Sequence, residues 1–171
     1  MEVPVSETTT LTQALIQSLR VDQNLLLDFF VGFSRFECAL NAQQFVWPGT
    51  ANVNWSVFTT WLESLSPSEL EPVLLEGREL SKKPPKKLVR GPQGLDWEAV
   101  SQTPGESDIR FLIGCLTRAR NNLFHGGKYV TLPEPVDRNQ WVIKNALTVL
   151  YALAQIPSAV GIRRVFQDDL P

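Results

Sequence analysis

Apolar residues recur at helical spacing along most of this chain. Between Asp22 and Asn41, the residues Leu26, Phe29, Phe30, Phe33, Phe36, Cys38 and Leu40 follow the i, i+3, i+4, i+7 rhythm. This is the most aromatic face in the sequence. Asp22 suits an N-cap, and Asn41 suits the end of that helix. A weaker stripe of Leu11, Ala14, Leu15 and Leu19 predicts a first helix over 8–19. The stretch QQFVWPGTANVN, with Pro48 and Gly49, predicts a loop. A third helix follows over about 54–65. Ser66 and Glu69 then have the spacing of a capping box that opens a fourth, ending before Pro84 and Pro85. From about 82 to 104 the helical rhythm fails. Two prolines, GPQG and short apolar pieces predict an irregular or hairpin-like insert. The rhythm resumes from 105–108 to about His125, where Gly126 and Gly127 stop it. A last long helix is expected over about 136–156, and 157–171 reads as a short tail. The pattern predicts one all-α domain over 1–171, a helical bundle interrupted by one insert.

Composition adds bounds. The 171 residues are 43% hydrophobic and 20% charged, with a net charge of −2. That suits a globular protein with one core and excludes a global basic field for duplex nucleic acid. The N-terminus, MEVPVSETTT, lacks the basic and apolar regions of a secretory signal. The uncharged run between Lys144 and Arg163 contains Asn145, Gln155 and Pro157, which fits a buried helix and turn better than a membrane span. Cys38 and Cys115 lie far apart among apolar neighbours and read as reduced core thiols of a cytoplasmic protein. Two cysteines and one histidine cannot make a standard structural zinc site, so no metal or cofactor is expected.

One constellation carries chemistry. The single histidine, His125, stands in the segment RARNNLFHGGKY. With Arg120 set at 0°, a helical wheel puts Ile109, Leu112, Ile113, Leu116, Ala119 and Leu123 within about 100° of it. An arginine inside that apolar arc must be paired or meet an anion. Arg118, Asn121 and His125 fall at about 160°, 100° and 140°. With Asn122 they form a polar cluster of the kind that holds a phosphate. Glu37, in the aromatic helix, is a candidate partner for Arg120, equally readable as an unrelated surface carboxylate. Arg120 paired in a core, with His125 as a cation at a helix C-terminus, is the plain structural alternative. The basic run Lys82, Lys83, Lys86, Lys87 and Arg90 reads either as a solvated loop or as a path for RNA. Trp97 either anchors the insert or stacks on a base. Trp47, Trp55, Trp61 and Trp141 read as packing residues.

The string RNNLFHGGK resembles the signature of HEPN domains (higher eukaryotes and prokaryotes nucleotide-binding). Their motif is Arg, a polar residue, three to five residues, then His, and Arg120, Asn121 and His125 fill those places. The aromatic helix FFVGFSRFECAL, the segment PPKKLV followed by LDW, and the helix after the motif extend the likeness over about 20–157. The chain departs from toxin subgroups that place a tyrosine two residues after the histidine. Gly127 stands there, and Tyr129 follows two residues later. The resemblance implies a HEPN-like helical bundle and a metal-independent RNA endonuclease in a toxin or phage-defence setting. Arg120, His125 and Asn121 would then be catalytic, Arg118, Asn122 and Lys128 substrate-binding, and Glu37 and Tyr129 supporting. It further implies a homodimer through the motif helix, and it leaves open whether an antitoxin or other regulatory protein restrains the activity. The alternative is a non-catalytic HEPN module that binds nucleotide, RNA or a protein partner. A third reading is a helical interaction protein that exposes its aromatic helix.

Overall fold

The computed structural model describes residues 13, 21–92, 94–124 and 136–167. The described chain is mostly helical, with one small two-stranded sheet. Its elements are α1 (Gln23–Ala42), α2 (Trp55–Glu63), α3 (Pro67–Lys82), β1 (Lys87–Gly91), β2 (Gly94–Glu98), α4 (Asp108–Phe124), α5 (Val136–Ala154), a 3-10 turn (Pro157–Ala159) and α6 (Val160–Gln167). The helix expected over 8–19 lies outside the described residues.

Local chemistry sets the helix starts. Asp22 accepts from the Leu25 amide at 2.9 Å, and Asn54 accepts from the Val57 amide at 3.2 Å. At Ser66 the capping box is only half made. The Ser66 hydroxyl donates to the Glu69 carboxylate instead of accepting from the Glu69 amide. Glu69 also accepts from the amide and hydroxyl of Ser158, so the same carboxylate ties the start of α3 to the 3-10 turn.

In the core, α5 packs against α1, α3 and α4, and α2 lies beside α4. Phe29, Phe33, Phe36 and Leu40 of α1 are buried, as the spacing predicts. Phe30 is half exposed, because it lies at the edge of that stripe. Phe36 meets Phe58 of α2 and Phe166 of α6 edge-on at centroid separations of 5.9 and 5.8 Å. Phe58 continues the cluster to Phe45 and Trp61 at 5.3 and 5.7 Å.

The insert is a regular antiparallel hairpin that pairs Leu88 with Trp97 and Arg90 with Leu95. Three expectations need correction. The segment after Pro157 is no tail over its described part, because α6 buries Ile162 and Phe166 against the core. Cys38 is exposed, since it sits beyond the buried stripe of α1, whereas Cys115 is buried. Trp47 is 54% exposed on the α1–α2 loop and packs no core.

Among the described residues no single helix is long and apolar enough to cross a membrane. Arg138–Ala154 and Pro157–Gln167 reach that length only as a pair bent by 82°. The apolar side of α5 is already occupied by its neighbours in the bundle.

Candidate functional site

Helix α4 buries Ile109, Leu112, Ile113, Leu116 and Ala119 along one stripe. Arg120 continues that stripe near the C-terminal end, where the core opens to solvent. Its side chain is one-third exposed and pairs with Glu37 of α1, Nη2 to Oε2, at 3.3 Å. Its Nη1 donates to Asn121 Oδ1 at 3.2 Å. The guanidinium also lies over the Phe33 ring, 5.9 Å from the centroid. Helix α1 thus supplies both a carboxylate and a ring face to one cation, because Phe33 and Glu37 are four residues apart on the same side.

These groups border a cavity of about 330 Å³. Glu37, Thr117, Arg120 and Asn121 form one side. Ala51, Asn52 and Val53 of the α1–α2 loop, with Trp55, complete the lining. The Thr117 hydroxyl donates back to the carbonyls of Ile113 and Gly114, at 3.0 and 3.2 Å. Its oxygen can therefore only accept from anything in the cavity.

The described polar residues of the motif meet different neighbours. Asn121 joins Arg120 in the cavity. Asn122 turns to the insert, where its Nδ2 donates to the Lys86 carbonyl at 2.8 Å. Arg118 lies back along α4 beside Gly114, and its Nη1 is buried without a hydrogen-bond partner among the described residues. Burial pushes the Cys115 thiol up to about 11, with the Arg118 charge opposing the shift. Asn122 is thereby engaged by the insert, while Arg118 remains on α4. A one-residue step turns a helix by about 100°, which gives Asn121 and Asn122 different neighbours. His125, Lys128 and Tyr129 lie outside the described residues.

The insert side is basic. Lys82, Lys83, Lys86, Lys87 and Arg90 are all exposed. Lys82 pairs with Glu79 at 2.9 Å. Trp97 is half-buried. Arg138 of α5 ties the base of the hairpin by donating to the Lys83 and Pro84 carbonyls, at 2.7 and 2.9 Å. The end of α4 therefore stands between the cavity and the basic hairpin. Among the described residues no group of three or more His, Cys, Asp or Glu side chains is placed to hold a metal ion.

Sequence reasoning missed the loop wall of the cavity. Asn52 and Trp55 sit in a segment legible only as a loop and a helix start, and nothing in the periodicity of α1 or α4 points to it. No protein-family model, curated protein or solved structure matches this chain.

Proposed function

We propose that this chain is a HEPN-type, metal-independent RNA endonuclease that works in a toxin or phage-defence setting. The observation that carries the reading is the placement of Arg120. A guanidinium that stays charged at any physiological pH lies in an open cavity, braced by Glu37 and Asn121, on the helix that leads directly into His125. A structural arginine needs only its carboxylate. One that also borders a cavity large enough for a nucleotide is suited to an anion.

The chemistry follows from the groups. The ribose 2′-hydroxyl oxygen attacks the adjacent phosphorus while the bond from phosphorus to the 5′-oxygen breaks. The nucleophile is part of the substrate, so proximity is already provided. Neutral His125 takes the 2′-hydroxyl proton, and the 5′-oxygen leaves with a proton from solvent or an acid group. Arg120 offsets the charge that develops on the phosphoryl oxygens. Asn121 holds Arg120 through its carbonyl oxygen and has its NH₂ left for phosphate. The products are a 2′,3′-cyclic phosphate and a 5′-hydroxyl. Pairing of two motif helices in a homodimer would bring two Arg120 side chains to one cleft and make a positive groove on a protomer of net charge −2.

Incubation of the pure protein with a mixed RNA pool in EDTA tests this. Cleavage is expected. His125→Ala should lower the rate by roughly 10²–10⁴, and Arg120→Ala by roughly 10²–10³. Binding without cleavage would leave the non-catalytic module. Cleavage untouched by both substitutions would remove the site altogether. Light scattering after size exclusion reads the dimer.

A further inference from the structure

The loop part of the cavity wall has no part in the chemistry described above. It is built by the α1–α2 loop and is held firmly. Asn41 Nδ2 donates to the Ala51 carbonyl at 2.8 Å, and Val46 and Val53 pair as an antiparallel bridge. The Trp47 amide donates to the Asn52 carbonyl at 3.0 Å, and the Asn52 amide donates to the Thr50 hydroxyl at 3.1 Å. Gly49 takes a φ of +73°, which closes the turn at no steric cost. The backbone of Asn52 is thus used up within the loop. Its exposed side chain borders the cavity, and the carboxamide has no hydrogen-bond partner among the described residues. Beside it, half-buried Trp55, whose ring also packs against Phe33, Phe36 and Phe58, lines the same wall.

The dimensions and charge narrow the occupant. A cavity of about 330 Å³ is at the small end of ligand sites, which run from roughly 300 to 1,000 Å³. It takes one nucleotide and no duplex. Arg120 is balanced by Glu37, so the cavity has no excess of positive charge for a di- or triphosphate. It suits a single phosphodiester joined to a neutral planar ring. A carboxamide offers a donor and an acceptor side by side, the pattern that reads the edge of a base. An aromatic ring adds contact that every base can use.

We propose that the α1–α2 loop selects the nucleobase beside the phosphate at Arg120, with Asn52 reading its edge and Trp55 contacting its ring. This inference rests on the proposed ribonuclease reading for its substrate, single-stranded RNA. The experiment titrates the full chain with the four nucleoside 3′-monophosphates and with inorganic phosphate, by calorimetry. It also compares kcat/KM on four short RNAs that differ in one base. The preferred nucleotide should bind at least tenfold more tightly than phosphate. Asn52→Ala should remove most of that advantage and level the four kcat/KM values. Asn52→Asp, which has lost the amide donor, should change which base is preferred. Asn52 is exposed, so neither substitution reaches the core. If all four nucleotides bind no better than phosphate while RNA is still cleaved, the base wall is refuted and the nuclease reading survives. The same holds if Asn52→Ala keeps the wild-type preference. If RNA is not cleaved but nucleotides bind with an Asn52-dependent preference, the nuclease reading falls and the base wall stands.

Discussion

Two thiols and one carboxylate show how position along a helix sets reactivity. Cys38 is exposed on α1, and Cys115 is enclosed beneath α4 with its thiol pushed up to about 11. A thiol reagent such as Ellman's at pH 8 should therefore modify one cysteine per native chain rapidly. The second should react only after denaturation, because the thiolate is the reactive form. Cys38→Ser should abolish the fast phase alone. Glu63 is a different case. It accepts from both Arg110 and Ser107, and the Arg110 hydrogen bond, followed by that of Ser107, holds its pKa below the ordinary value of 4.5. A depressed carboxylate contributes stability that is complete above its unfolded value and is lost as pH falls through its folded value. Stability of the native chain should thus decline as pH drops below about 4.5. Glu63→Gln should flatten that decline in urea titrations run across the acid range.

Helix ends and helix contacts carry the next set of consequences. Arg35 of α1 donates from Nε to the Phe166 carbonyl at 3.0 Å and from Nη2 to the Val165 carbonyl at 3.2 Å. These are last-turn carbonyls of α6, which lack partners within their own helix. Arg163 does the same for the end of α5, at the carbonyls of Ala154, Gln155 and Ile156. Hydrogen bonds to charged groups contribute about 1.5–3 kcal/mol, so Arg35→Ala should destabilise the chain by about that much. Hydrogen exchange should locate the loss, with amides over 160–167 opening before the rest. Gly77 matters for another reason. A Cβ there would stand 2.3 Å from Leu112 Cδ2, which is fully buried. Gly77→Ala should cost about 1–3 kcal/mol through overpacking between α3 and α4. At Gly161 the nearest neighbour is the flexible end of exposed Gln43, so Gly161→Ala should be close to neutral. Thermal melts of the two variants read the contrast.

For the whole molecule, the stretches legible in the sequence were those in which one physical rule acts alone. Apolar spacing located α1, α4 and α5, and prolines with glycines located the hairpin. Asp22 announced a cap. What escaped depended on distant partners. Glu69 read as part of a local cap, and nothing nearby announced that its carboxylate also accepts from Ser158, remote in sequence. The last helix is only eight residues long, too short for periodicity to separate it from a tail. Its place is fixed by Phe36 and Arg35, on the first long helix. The Arg120–Glu37 contact was open to sequence reasoning, since a buried-arc arginine demands a partner. Asn52 was not, because its relevance comes from where a loop is pinned and not from what precedes or follows it.

The closure of α6 onto α1 also governs when this protein can be finished. The ring of Phe36 lacks one of its aromatic neighbours until Phe166 has been translated, some 130 residues later. A nascent chain halted in the hairpin would leave greasy rings uncovered, a natural target for holding chaperones. Packing of the first long helix should therefore be complete only after the ribosome has released the end of α6.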